Sequence, residues 1–215
     1  VPVRFGVVSC ANYDWGWFVP YKFLATRTDL DAVLHLGDYV YEYAPGGVIA
    51  DFPENPRNAE PLHEVTTLAD YRLRHGCYKL EPNLQDLHAA HPMIAVWDDH
   101  EIANDTWRDG AENHDPTTEG DWATRASAGR RAFLDWLPVR HTDPDDWVRI
   151  NRRLAFGKQV DLWMLDERRF RTQTPKSLIL GYGYLGTASS RPDATMLGSE
   201  QEHWLTSGLA ASGAR

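Results

Sequence analysis

The sequence predicts an α/β fold. Short apolar segments that read as buried strands alternate with amphipathic stretches that read as helices. Thiol-bearing or acidic residues follow directly on three of those strands, the place where open α/β sheets gather their ligand-binding groups. Phe5 to Ser9 is the first strand, and a loop from Cys10 to Gly16 leads into a helix over Phe18 to Thr26. Ala32 to Leu36 is the second strand, which Gly37 breaks sharply ahead of Asp38.

Residues 44 to 62 carry Pro45, Gly46, Gly47, Pro53, Pro56 and Pro61 with little periodicity and read as a surface loop at a cleft rim. Two helices follow, Leu68 to Leu80 and Asn83 to Ala90, separated at Pro82. Met93 to Trp97 is the third strand and ends in Asp98-Asp99-His100-Glu101. After an irregular polar stretch, Trp122 to Leu137 fits an amphipathic helix stopped by Pro138. Val148 to Phe156 and Gln159 to Leu165 alternate as a hairpin turning at Gly157-Lys158. Phe170 to Leu197 has few periodic signals, and Ser199-Glu200-Gln201-Glu202 resembles a capped start to a last helix.

The 215 residues suffice for one sizeable core, and nine tryptophans suggest large buried or cleft-lining rings. A formal net charge of −9 argues against a binder of nucleic-acid backbones. An acidic protein that handled phosphate esters would have to invert the sign of its field locally, which bound multivalent cations achieve. No run of 18 apolar residues is present, so no membrane-spanning helix is expected. Cys10 and Cys77 are too few to indicate a disulfide scaffold.

The three strand ends present Cys10, then Asp38 with Tyr41, then Asp99 with His100. Carboxylate and phenolate oxygens suit hard cations, whereas a thiolate suits a transition ion, so a mixed metal site is implied. Glu42 and Asp98 are open between supporting groups and loop charges. Trp15, Trp17, Phe18 and Tyr43 near these loops could form an apolar rim. His35, inside an apolar strand, reads as a satisfied core histidine, and Cys77 as a core residue of a helix. Arg168 in Asp166-Glu167-Arg168-Arg169 is open between a phosphate partner and a surface ion-pair cluster.

Gly37-Asp38-x-x-Tyr41 is similar to the second block of calcineurin-like phosphoesterases in the tyrosine-bearing form that purple acid phosphatases share. Ser9-Cys10 stands where most members carry Asp-x-His, and Trp97-Asp98-Asp99-His100-Glu101 where most carry Gly-Asn-His-Glu. Both replacements resemble PhoD-type alkaline phosphatases. The likeness extends through Leu165 to Arg169 and Met196 to Gln201, nearly the whole chain.

That resemblance implies a four-layer α/β/β/α metallophosphoesterase sandwich, with residues 1–215 as the N-terminal part of one catalytic domain. It implies that Cys10 and Tyr41 bind Fe(3+), that Asp38 bridges it to Ca(2+), and that Asp99 binds on the calcium side, with manganese, magnesium or zinc as alternatives there. Asp99 and His100 would serve catalysis, His100 by contacting the phosphate or protonating the leaving oxygen. The implied reaction is hydrolysis of phosphate mono- or diesters by a metal-activated water, with phospholipase D-like cleavage of phospholipids as a possible subclass. A secreted location is implied in the same way. The family's Gly-Asp-x-His block does not occur within residues 1–215, so a second polypeptide or cleaved C-terminal segment is expected to complete the site. Two alternatives stay open: a non-catalytic binding protein on a degenerate phosphoesterase scaffold, and an unrelated mononuclear metal hydrolase.

Overall fold

The computed structural model describes residues 2–47, 57–140, 145–173 and 191–214. β1 (Phe5–Val8), β2 (Ala32–His35) and β3 (Met93–Ala95) form a parallel sheet in that order. The register sets Phe5 against Ala32 and Val8 against His35, then Val33 against Met93 and His35 against Ala95. All four residues of the central strand β2 are buried, which explains its unbroken run without polar alternation. α1 (Val19–Ala25) connects β1 to β2, and α2 (Leu68–Lys79) with α3 (Pro82–Ala90) connects β2 to β3. These crossovers give the sequence its α/β character.

The core lies between the sheet and these helices. Val33, Tyr71, Tyr78, Leu84, Leu87 and Phe133 are almost wholly withdrawn from solvent. Phe133 comes from α4 (Trp122–Trp136), which packs on α2, and its ring meets Trp97 edge-on at 5.4 Å. β4 (Arg152–Phe156) and β5 (Val160–Met164) pair antiparallel as the expected hairpin. α5 (Gly198–Ala211) lies against it, with Trp204 edge-on to Trp163 at 4.9 Å. No helix among the described residues is long and apolar enough to cross a membrane.

Local chemistry explains most helix starts. Thr67 and Asp70 form a reciprocal capping box at α2, Glu81 caps α3 ahead of Pro82, and Asp121 caps α4. α3 therefore begins a residue before the expected Asn83, since proline is tolerated in a first turn. α5 departs from the expected Ser199 cap. Its N-cap is Leu197, which has no polar side chain to cap with, and Gly198 opens the helix at φ 72° with its N–H donating to the Thr195 hydroxyl at 2.9 Å. The expected loop over 44–62 is in part outside the described residues. Its end is partly exposed as expected, Leu62 among it, but is pinned where Ala59 is buried and its N–H donates to Asp14 at 2.6 Å. The expected irregular stretch over 170–197 lies outside them from 174 to 190.

Candidate metal centre

The three strand ends converge because the β1–β2 ladder continues beyond the strands. Leu36 N–H donates to the Val8 carbonyl at 2.9 Å, Cys10 N–H to Gly37 at 3.2 Å, and Ala11 N–H to Asp38 at 3.1 Å. Cys10 and Asp38 are held at φ 57° and 53°, a left-handed region that residues with a Cβ seldom adopt. Strain of this kind gathers at functional sites when the surroundings over-determine it. Gly37, at φ 109°, sits so close to the third strand end that an added Cβ would lie 2.5 Å from the Asp98 backbone nitrogen.

The wholly buried Glu101 stitches these loops together, one carboxylate oxygen accepting Tyr39 N–H at 2.6 Å and the other Asp98 N–H at 2.7 Å. Burial first, then the charge of Asp38, pushes Glu101 up to about 8 despite those two bonds. Sequence reading assigned it nothing. Arg74 of α2 was missed as well; it is buried and donates to the carbonyls of Tyr41 and Tyr43, fixing the loop that carries Tyr41. Glu101 was in view only as the last residue of the block after β3, and Arg74 has no sequence signal, since its partners are backbone carbonyls.

Asp38 is the hub. Its Oδ2 accepts from the Cys10 thiol at 3.4 Å and the Tyr41 hydroxyl at 3.3 Å. Its buried Oδ1 has no hydrogen-bond partner among the described residues. Oxygens of Asp38 and Asp99 and a ring nitrogen of His100 all lie within 4.8 Å of one another. Two donor groups thus share Asp38, one with Cys10 and Tyr41, the other with Asp99 and His100. Burial raises the Asp38 carboxyl, His100 opposing and Asp99 reinforcing the shift. Burial, followed by Asp38, holds the Tyr41 phenol far above its ordinary value, and burial also raises the exposed Cys10 thiol. Without a cation the phenol and the thiol keep their protons. An orphaned buried carboxylate oxygen amid acidic, phenolic and thiol groups fits a metal site, and loading it would release protons.

His100 stacks on Tyr41 at 4.3 Å and pairs its Nδ1 with Glu42 at 2.8 Å. Glu42 is wholly buried, and its other oxygen accepts Asn104 N–H at 2.6 Å and the Asn113 amide at 3.1 Å. It is a supporting group, not a loop charge. Burial alone would lower His100, but Glu42, then Asp99 and Asp38, raise it to about 9; cations on the two aspartates would pull it back down. With Nδ1 committed, Nε2 is the nitrogen left to face an ion or substrate. Glu42→Gln is expected to reduce kcat/KM by roughly 10- to 100-fold, the usual effect of losing a histidine's supporting carboxylate. Steady-state kinetics with unchanged thermal stability checks this.

The remaining candidates divide. His35 is a core histidine as expected: Gly37 N–H donates to its Nδ1 at 3.3 Å, Tyr21 bonds its Nε2 at 3.0 Å, and burial lowers it to about 3. Cys77 is buried in α2, and both cysteines are free thiols. Arg168 is no surface cluster, being largely buried against Asp98, Asp99 and Asp105. Of the aromatic rim, Phe18 is a core residue instead, whereas Tyr43 lies 5.5 Å from His100 and Trp15 6.5 Å from Tyr41. Trp17 is exposed beside a cavity of about 570 Å³ that adjoins Cys10 and is walled also by Asn12 and Val19.

A model of the PhoD-like phosphatase family matches residues 5–215. The chain belongs to that family. Alkaline phosphatase D of Bacillus subtilis (strain 168) is 33% identical over 214 residues, which is 98% of this chain and 35% of that protein. A solved structure described as the structure of PhoD superposes with a TM-score of 0.83 at 31% identity, over 98% of this chain and 39% of the other. This member of the PhoD-like family therefore spans about a third of the length of these relatives.

Proposed function

We propose that residues 1–215 form the metal-binding N-terminal part of a four-layer α/β/β/α catalytic domain that hydrolyses phosphate esters. The observation that carries this reading is the gathering of Cys10, Tyr41, Asp99 and His100 about Asp38, whose Oδ1 has no hydrogen-bond partner among the described residues. Cys10 and Tyr41 would hold Fe(3+), Asp99 would hold Ca(2+), and Asp38 would be shared between them. The thiol and the phenol both donate to Oδ2 of Asp38, and a thiolate suits a transition ion, which supports this division. Substrates would be phosphate mono- or diesters, phospholipids among them, acted on outside the cell. A further segment would supply the Asp and His of the missing block; the partial coverage of longer relatives is in keeping with that.

When bound, the ions supply Lewis acidity toward a phosphoryl oxygen and lower the pKa of a water so that it can attack phosphorus. The chain's own residues do the rest. Glu42 fixes the His100 ring so that Nε2 faces the reacting phosphate, where it stabilises charge or delivers a proton to the leaving oxygen. The Tyr41 ring lies against the imidazole and restrains its tilt. No side-chain nucleophile is required.

Metal analysis with absorption spectroscopy tests the reading. The purified protein is expected to contain iron and calcium and to show a visible charge-transfer band from thiolate and phenolate ligation, and Cys10→Ser is expected to shift the band and lose iron. Full activity in a colourless protein, or an unshifted band in the variant, would sink the iron assignment. An activity that survived removal of all metal would sink the metallophosphoesterase reading itself.

A further inference from the structure

We propose that Arg168 is a positioning residue for the metal-binding face of Asp99, and that Gln201 of α5 anchors it from outside the site. This inference rests on the reading of Asp99 as a metal ligand. Every nitrogen of the Arg168 guanidinium faces an acceptor: Nε donates to Asp98 Oδ1 at 2.5 Å, Nη2 lies 3.5 Å from Asp99 Oδ1, and Nη1 lies 3.6 Å from Asp105 Oδ1 and 3.3 Å from the Thr106 carbonyl. Two of its five N–H groups are committed to hydrogen bonds, on Asp98 and the Thr106 carbonyl, and its charge is met by three carboxylates rather than left for a phosphate. What it does is gather three carboxylates that would otherwise repel one another and hold the wall on which Asp99 stands. Asp99 is fixed a second time through its Oδ2, which accepts Asp105 N–H at 2.6 Å.

The position of Arg168 is itself determined from a distance. Asp166 is buried, and its Oδ1 accepts Arg168 N–H at 3.2 Å, Arg169 N–H at 3.0 Å and Trp97 Nε1–H at 3.0 Å, turning the chain back toward Asp98. Asp166 is held in turn by Gln201, whose Oε1 accepts Asp166 N–H and whose Nε2 donates to the Asp166 carbonyl, both at 2.8 Å. Gln201 is the one buried residue of α5. A path of hydrogen bonds therefore runs from a peripheral helix to Arg168, whose ion pair with Asp99 at 3.5 Å makes the last link to a candidate metal ligand. Polar partners behind a ligand set its orientation, and losing one typically weakens metal binding by roughly 10- to 100-fold.

The test is calcium titration of the iron-loaded holoprotein by calorimetry, with inhibition by inorganic phosphate measured at saturating calcium. Arg168→Gln is expected to weaken calcium binding by roughly 10- to 100-fold. Arg168→Lys should do nearly the same, because one ammonium cannot face three carboxylates at once. Gln201→Leu should weaken calcium binding in the same direction but less. The double variant R168Q/Q201L should be no worse than R168Q alone, since both act along one path. Phosphate inhibition should change by no more than about twofold in any of them, in contrast to the tenfold or greater loss for a lost ligand contact. Unchanged calcium affinity in R168Q with weakened phosphate inhibition would overturn the proposal in favour of substrate binding, and additive effects in the double variant would overturn the role of Gln201. Near-UV circular dichroism verifies the fold of each variant, and R168K, which keeps the charge, decides the matter if R168Q does not fold. Wild-type protein that binds no calcium would refute the reading of the site rather than the coupling.

Discussion

Asp38→Asn is expected to remove most of the activity while leaving the fold intact. The amide keeps the size of the carboxylate but loses a charge that two cations would share. Cation stabilisation of the transition state is worth several kcal/mol, so kcat/KM should fall by roughly 10³-fold or more at 1.36 kcal/mol per tenfold. Stability of the metal-free protein should move the other way, if at all. Burial penalises the ionised carboxylate, and Asp99 and Asp98 repel it, so a neutral amide relieves both while giving up the attraction of His100. Kinetics, metal content and denaturant unfolding on one preparation check the pair of effects. Retention of both metals with activity within tenfold of wild type would rule out Asp38 as the shared ligand.

Gly37→Ala should do the reverse and act through the fold. A Cβ there would meet the Asp98 nitrogen and Cβ at 2.5 Å and the Trp97 carbonyl carbon at 2.9 Å, and these are backbone or near-backbone atoms that cannot swing aside. Left-handed strain and overpacking together are expected to cost roughly 2 to 6 kcal/mol. Gly120→Ala is the control, since Gly120 is also left-handed, at φ 82°, but opens onto free space. It should lose only about 1 kcal/mol. Equal losses at both positions would show that close approach of the strand ends contributes nothing. If the Gly37 variant folds, metal uptake should still be impaired, because the second and third strand ends would have been pushed apart.

The positions of the donors were legible because each follows an apolar strand, and period and composition report strands well. Gly37-Asp38-x-x-Tyr41 and the acidic run after Trp97 could be located from spacing alone. The supports were less legible for a physical reason: they join residues distant in sequence through backbone groups. Glu101 serves Tyr39 and Asp98 backbone N–H groups, and Arg74 serves carbonyls of residues 41 and 43. Arg168 was visible as a charge in a charged run, and only the fold reveals that three carboxylates surround it. Phe18 looked like a rim residue because it lies near the loops that carry the donors, yet it is buried in the core while its neighbours Trp17 and Val19 are exposed. The expected cap at Ser199 failed because the helix already begins at Gly198, which places Ser199 inside its first turn.

The continued ladder between the loops after β1 and β2 makes the site a readout of strand alignment. Cys10 reaches Asp38 only because Val8 stands against His35 and the bonds from Leu36, Cys10 and Ala11 carry that pairing forward. A slip of β1 by a single position would bring Ser9 or Ala11 to the hub in place of the thiol and turn the strand's side chains to the opposite face. A chain that collapsed with the wrong alignment could therefore bury much of the same apolar surface and still have no thiol to offer an ion. A cation that took the thiol as a ligand would bind only the correctly aligned molecules and so favour them by mass action.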